Sequence, residues 1–81
     1  MLQPKIKLIK PVEPHSLFLE YETGERKLFD VSPYIKGSWY SELKNKDYFK
    51  SVRIVNNGCG IEWANGQDIA PHELYENSVN H

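Results

Sequence analysis

The sequence has one cysteine and no long apolar run, which excludes several classes of protein. Because Cys59 is alone among the 81 residues, no intrachain disulfide can form, and the disulfide framework of a small secreted domain is ruled out. No stretch approaches the roughly eighteen apolar residues of a membrane span, and residues 1–10 contain no apolar core of a signal peptide. We therefore expect a cytoplasmic protein that is not bound to a membrane.

The chain also lacks an excess of either charge. Its 10 Lys and Arg residues are balanced by 11 Asp and Glu residues, so it has no broad positive field of the kind that non-specific nucleic-acid binding requires. Direct binding to nucleic acid is therefore not expected. Lys5, Lys7 and Lys10 form a local basic cluster, and lysines on a terminal strand commonly protect a sheet edge from unwanted pairing.

What the chain does contain is enough apolar material for one compact core. Hydrophobic residues make up 40% of the composition and aromatic residues 12%, well outside the range of disordered chains. A chain of this length buries only about 60 to 65 per cent of its unfolded surface, which leaves no room for a large cavity. We predict a single domain over residues 1–81.

Alternating apolar residues and turn signals predict an antiparallel sheet. Strands are expected at residues 5–10, 17–21 and 26–30, with Gly24 closing the turn between the last two. The strongest local signal is Asn57-Gly58, which predicts a hairpin between residues 51–55 and 60–63. In that hairpin Arg53 is expected to pair with Glu62, and Trp63 is expected to be buried.

Short helices are expected to cover one face of this sheet. Ser32 and Pro33 are typical of a helix start, Gly37 of its end, and Asp47 of a cap for the turn that holds Tyr48 and Phe49. Further short helices are predicted at residues 39–43 and 71–76, and residues 77–81 are expected to form a frayed tail. The predicted fold class is α+β, a small antiparallel sheet of five or six strands covered on one face by short helices.

Two separated motifs carry a resemblance to a known family. The matching residues are Phe29, Asp30, Pro33, Trp63, Asn65, Gly66, Asp68, Ile69, Pro71, Leu74 and Tyr75. In these positions the chain resembles DUF2442, a bacterial family of unknown function, over nearly its whole length. The resemblance implies an α+β fold with no established activity. Some relatives precede a helix-turn-helix segment, and many are encoded beside another small protein, as toxin and antitoxin pairs are. It thus implies an accessory or antitoxin-like role.

No set of residues in the sequence predicts an enzyme or a cofactor site. Asp30 and Asp68 are interpreted as residues that cap helices or bond turns, because each precedes a helix start. His15, His72 and Cys59 lack the close spacing of zinc ligands, and we expect neither a metal nor another cofactor. The alternative that stays open is a small-molecule-binding or enzymatic domain with a site around Asp30, Asp68 and His72.

The leading hypothesis is therefore a non-enzymatic module that binds a protein partner or a second copy of the chain. Trp39 and Tyr40 lie beside Gly37 and Ser38 in an irregular segment, where at least one aromatic ring is expected to stay exposed as an interface anchor. The strand at residues 5–10 offers unpaired backbone groups for augmentation. The predicted contact residues are Trp39, Tyr40, Lys5, Lys7 and Lys10.

Overall fold

A computed structural model describes residues 3–81 and contains two antiparallel sheets with short helices. The larger sheet has four strands, in the order β1 (Ile6–Val12), β2 (Ser16–Tyr21), β3 (Arg26–Asp30) and β7 (Val79–Asn80). The smaller sheet has three, in the order β4 (Arg53–Val55), β5 (Gly60–Glu62) and β6 (Asp68–Ile69). The α+β class is confirmed, but the strands form two sheets where one sheet of five or six strands was predicted.

The larger sheet is built around the alternation in β2. Leu17, Leu19 and Tyr21 are buried on its inner face, as expected for a half-buried strand with a period of two. β1 is an edge strand, as predicted, but it continues through Pro11 and Val12 where an end at Pro11 was expected. An edge strand needs pairing along only one side of its backbone, so a proline is tolerated there.

The hairpin of β4 and β5 forms as predicted. Its turn places Asn56 and Asn57 at φ values of 55° and 57° and Gly58 at 95°, all in the left-handed region that Asn and Gly tolerate. Gly58 also packs closely on β1, since a Cβ atom there would lie 2.9 Å from the carbonyl oxygen of Ile6. The expected pair of Arg53 with Glu62 is present at 2.6 Å.

Short helical segments connect β3 to β4. They are a 3-10 turn at Ser32–Tyr34, helix α1 at Gly37–Tyr40, a 3-10 turn at Ser41–Lys44 and helix α2 at Lys46–Phe49. Two details differ from prediction. Gly37 begins α1 and does not end the preceding turn. The cap of α2 is Asn45, whose side chain accepts a bond from the Tyr48 amide at 3.1 Å; Asn45 has the extended backbone of a cap, whereas Asp47 is already inside the helix.

The hydrophobic core is centred on Trp63, which is fully buried, as predicted. Its ring centroid lies 5.7 Å from that of Phe49, and its indole Nε1 donates to the Phe49 carbonyl oxygen at 2.9 Å. The apolar surface of this ring is therefore buried, and its polar nitrogen has a hydrogen-bond partner. The other buried apolar residues are Ile6, Leu17, Leu19, Tyr21, Phe29, Val31, Leu43, Phe49, Ile61, Ile69 and Leu74.

The C-terminal segment is more ordered than the sequence suggests. Helix α3 spans Pro71–Asn77, close to the predicted range, and buries Leu74. Beyond it, Val79 pairs with Leu28 and Asn80 with Lys27, and the His81 amide donates to the Arg26 carbonyl oxygen at 3.0 Å. The expected frayed tail is instead the edge strand β7, because its backbone groups pair with the exposed side of β3. Among residues 3–81, no helix has the length and apolarity to cross a membrane.

Candidate functional site

The turn between β5 and β6 is bonded to the helical segment through the buried side chain of Gln67. Gln67 is the one fully buried polar residue of the described chain. Its Nε2 donates to the Trp39 carbonyl oxygen at 2.8 Å and to Glu42 Oε1 at 2.9 Å, while its Oε1 accepts a bond from the Tyr48 hydroxyl. Both N–H groups and the carbonyl of the amide are thus paired, as a buried amide requires.

Asn65 completes this arrangement from the other side of the turn. Its backbone amide donates to the Tyr48 hydroxyl at 2.8 Å, and its side chain donates to Glu42 Oε2 at 2.8 Å. The turn is also closed on itself, since the Trp63 amide donates to the Gln67 carbonyl oxygen at 2.8 Å. We call Glu42, Tyr48, Asn65 and Gln67 the Gln67 network; it joins the turn and the helical segment into one unit.

The Gln67 network positions Trp39, one of the predicted contact residues. The backbone of Trp39 is held by Gln67, yet 51% of the residue's surface is exposed. Its Cζ2 atom would lie 4.0 Å from a Cβ atom on Gly66, so the indole rests beside this glycine. Tyr40 is partly buried, and its hydroxyl donates to the Asp68 carbonyl oxygen at 3.2 Å. The two aromatic residues therefore lie along the β6 side of the smaller sheet.

The predicted lysines lie elsewhere. Lys5, Lys7 and Lys10 are exposed on or beside β1, and β1 contacts β4, the opposite edge of the smaller sheet from β6. The edge of β1 near Ile6 is in turn covered by Gly58 of the hairpin turn. The structure thus divides the predicted contact residues between two separate places.

The two candidate aspartates have different roles. Asp30 Oδ1 accepts a bond from the Ser32 amide at 2.9 Å, which confirms the turn-bonding role. Asp68 lies exposed in β6, and its carboxylate makes no hydrogen bond within residues 3–81. The capping role predicted for Asp68 is wrong, because the N-cap position of α3 is Ala70, without a side-chain cap. Asp68 is held by backbone pairing with Glu62 in the sheet.

The other candidate residues lie apart from one another in the described chain. His72 is exposed on α3, and no hydrogen bond or ion pair of the described residues joins it to Asp30 or Asp68. Within residues 3–81, no three His, Cys, Asp or Glu side chains are grouped closely enough to hold a metal ion. Cys59 is exposed at the hairpin turn.

A second polar cluster holds α3 against the larger sheet. The Tyr75 hydroxyl donates to both carboxylate oxygens of Glu25 at 2.9 Å, and Lys27 Nζ lies 4.4 Å from the centre of the Tyr75 ring. The bond from Tyr75 lowers the pKa of Glu25, with Thr23 and Lys27 adding to the effect, and the same bond raises the pKa of Tyr75. These contacts tie the β2–β3 turn to the terminal helix, which is a structural role.

The role of Gln67 was not predicted from the sequence. A signal was present, since Trp63, Gln67 and Ile69 are separated by even numbers of residues and all three are buried. The register that pairs Ile61 with Ile69 brings Gln67 opposite Trp63, and residues opposite each other in a sheet share a face, so the glutamine lies on the inner side. Because Asn65-Gly66 was interpreted only as a turn signal, the position of Gln67 opposite Trp63 was not predicted.

Comparisons with known proteins locate the chain in one family. Neither a search of curated proteins nor a search of solved structures found a match to it. A family model described as "Protein of unknown function (DUF2442)" matches residues 6–80, which includes the turn at Asn65-Gly66 and the helix α3. The chain therefore belongs to the DUF2442 family.

Proposed function

We propose that the protein is a non-enzymatic interaction module of the cytoplasm that binds a protein partner through the surface around Trp39. The proposal depends on the contrast between the fixed backbone of Trp39 and its exposed side chain. Its carbonyl oxygen is bonded to a fully buried side chain, while half of the residue is exposed to solvent. An exposed aromatic ring on a fixed backbone has the character of a binding anchor.

The physical advantage of this arrangement is a low cost of ordering. A side chain that must be immobilised on binding costs about 0.5–1.5 kcal/mol, and a mobile loop costs more. Here the Gln67 network already fixes the segment that carries Trp39, and Tyr40 is bonded to β6. A partner that buries the indole therefore gains apolar contact without first ordering the surrounding backbone.

The partner that suits this role is a second protein, such as the product of a neighbouring gene. In such a pair this chain is the accessory or antitoxin-like member. Lys5, Lys7 and Lys10 provide a second, cationic contact area, beyond β4 at the far edge of the smaller sheet. A partner that touches both areas therefore has to extend across the full width of the smaller sheet.

The test is co-expression with the neighbouring gene product, followed by calorimetry on the purified pair. Trp39→Ala is expected to weaken binding by at least about 1 kcal/mol, the threshold for an anchor residue. Lys44→Ala, an exposed residue of the same segment, is the matched control and is expected to leave the affinity unchanged. Failure to form a complex, or equal affinity of folded Trp39→Ala and wild type, contradicts the proposal.

A further inference from the structure

The outer face of the larger sheet carries most of the large apolar side chains that are exposed in the described chain. Among the described residues, four large apolar side chains are exposed, and three of them lie on this face: Leu8 at 39%, Val12 at 39% and Val79 at 63%. Since Leu17, Leu19 and Tyr21 fill the inner face, the alternate residues of β2, including Phe18, point outward. An apolar patch on an open sheet face is characteristic of an interaction site.

The strand register arranges this face into three rows that run across the strands. The central row is Lys10, Phe18, Leu28 and Val79. One flanking row is Leu8, Glu20 and Arg26. The other flanking row is Val12, Ser16 and Asp30. Three of the four positions in the central row are thus apolar, and each flanking row begins with an apolar residue on β1. The charged residues of the face lie around these apolar positions.

We propose that a second copy of the chain packs on this face, sheet against sheet, about a two-fold axis that runs along the central row. Most soluble oligomers are symmetric, and a two-fold contact must be complementary to itself. Rotation about this axis exchanges the two flanking rows strand by strand. Arg26 then faces Asp30 of the second copy, and Leu8 faces Val12 of the second copy.

The remaining positions are also compatible with this axis. Leu28 and Val79 face their own counterparts and form an apolar centre. Phe18 also faces its counterpart, with one edge covered by His81 of its own chain, whose ring centroid lies 5.5 Å from that of Phe18. Lys10 faces Lys10 of the second copy, a pair of like charges, but it lies on β1 at the edge of the sheet, where a long side chain can extend past the contact into water. Two sheets stack face to face about 10 Å apart with their strands within about 30° of alignment, a geometry that keeps the rows opposite each other.

The other possible two-fold axis, parallel to the strands, fits less well. It places Lys10 on Val79 of the second copy and leaves Val12 without an apolar neighbour. It pairs Glu20 with Arg26 of the second copy, but Glu20 already lies 3.8 Å from Lys7 and 3.5 Å from Arg26 within its own chain. Asp30, in contrast, has no ion-pair partner within residues 3–81. Arg26 keeps its contact with Glu20 of its own chain on either axis. Only the axis along the central row also brings a cation to Asp30, and the charge pattern favours that axis for this reason.

The size of the face determines the strength of the contact. The four strands contain 20 residues in all, and at about 3.3 Å by 4.8 Å per residue they cover roughly 320 Å² per copy. The two copies together bury about 600 Å² of projected area, below the roughly 1,200 Å² of a standard stable interface. An interface of this size belongs to the weak and transient class, so we expect a reversible dimer.

Sedimentation velocity of the full chain, from about 10 μM to 1 mM, tests this contact. The wild type is expected to shift from monomer to dimer within that range, and Leu28→Lys, at the centre of the face, to remain monomeric throughout. Lys44→Ala is the matched control and is expected to dimerise like wild type, because Lys44 lies on the helical segment, outside this face. A monomer at every concentration, or an unchanged dimer in Leu28→Lys, overturns the proposal, whereas loss of binding in Trp39→Ala bears only on the proposed function.

A charge exchange tests the axis independently of apolar burial. Arg26→Asp and Asp30→Arg are each expected to weaken dimerisation at least tenfold, and the double variant is expected to recover most of the loss. Circular dichroism of each variant confirms that it is folded. Recovery of most of the loss in the double variant supports the axis along the central row, and a folded double variant that dimerises no better than the single variants overturns it.

Discussion

The side-chain amide of Gln67 donates to the backbone carbonyl of Trp39 at 2.8 Å, across 28 residues of sequence. One nitrogen thus links a fully buried glutamine to the most exposed aromatic ring of the helical segment. Gln67→Ala removes this bond and leaves Glu42, Tyr48 and the Trp39 carbonyl without their shared partner.

We expect Gln67→Ala to lower the free energy of unfolding by about 1–3 kcal/mol, the cost of leaving buried polar groups unpaired. Urea denaturation measures this change, with Ser38→Ala, an exposed neighbour of Trp39, as the control. A Gln67→Ala protein that is as stable as the control would show that water replaces the amide without loss.

Trp63→Ala is expected to be the most damaging of the substitutions considered. The ring is fully buried against Phe49 and its nitrogen is bonded, and emptying a site of this size costs about 3–5 kcal/mol. Chemical denaturation compares it with Trp39→Ala, a removal of the same side chain from a half-exposed position. A midpoint for Trp63→Ala equal to that of Trp39→Ala would place the ring outside the core.

The two aspartates provide a matched pair. Asp30→Ala removes the acceptor for the Ser32 amide and is expected to destabilise by about 0.5–2 kcal/mol, as lost caps do. Asp30→Asn retains an acceptor oxygen and is expected to stay close to wild type. Asp68→Ala, on the exposed face of β6, is expected to change stability by less than about 0.5 kcal/mol. In thermal melts, an Asp68→Ala protein with a lower melting temperature than Asp30→Ala would contradict this assignment.

The buried hydroxyl of Tyr21 leads us to expect that the free energy of unfolding falls at alkaline pH. Burial raises the pKa of Tyr21 to about 12 from its ordinary value of 10.0, and the neighbouring Tyr75 and Glu25 add to the effect. Because the folded pKa is raised, the stabilising contribution is present below pH 10.0 and is lost as the pH rises toward about 12.

Tyr21→Phe is therefore expected to reduce the alkaline loss of stability. Its hydroxyl is buried with no hydrogen-bond partner within residues 3–81, so its removal is expected to leave stability at pH 7 unchanged or higher. Urea melts at pH 7 and pH 11 measure both effects. Identical losses between these two pH values in the variant and in wild type would contradict the burial of this hydroxyl.

Local patterns in the sequence predicted the elements that depend on nearby residues. The hairpin of β4 and β5, the start of α3 at Pro71 and the burial of Trp63 all follow from turn chemistry or strand alternation. The division into two sheets and the pairing of β7 with β3 depend on contacts between distant parts of the chain. No short-range pattern determines which free strand edge a distant segment will occupy.

The candidate site was predicted only in part, for the same reason. The aromatic residues Trp39 and Tyr40 were identified from their types and their irregular neighbourhood. Their support by Gln67 and by Asp68 arises from pairs that are 28 residues apart. The separation of the β1 lysines from Trp39 follows from the order of strands in the smaller sheet, which the sequence alone did not determine.

The contrasting environments of the two tryptophans give the protein two intrinsic optical reporters. Trp63 is fully buried among apolar residues, so its fluorescence is expected to lie at short wavelength and to resist quenching by iodide. Trp39, with half of its surface in water, is expected to emit at longer wavelength and to be quenched readily. Contact with a partner at Trp39 therefore shifts the long-wavelength component alone, whereas unfolding shifts the short-wavelength component, so a single fluorescence titration separates binding from loss of structure.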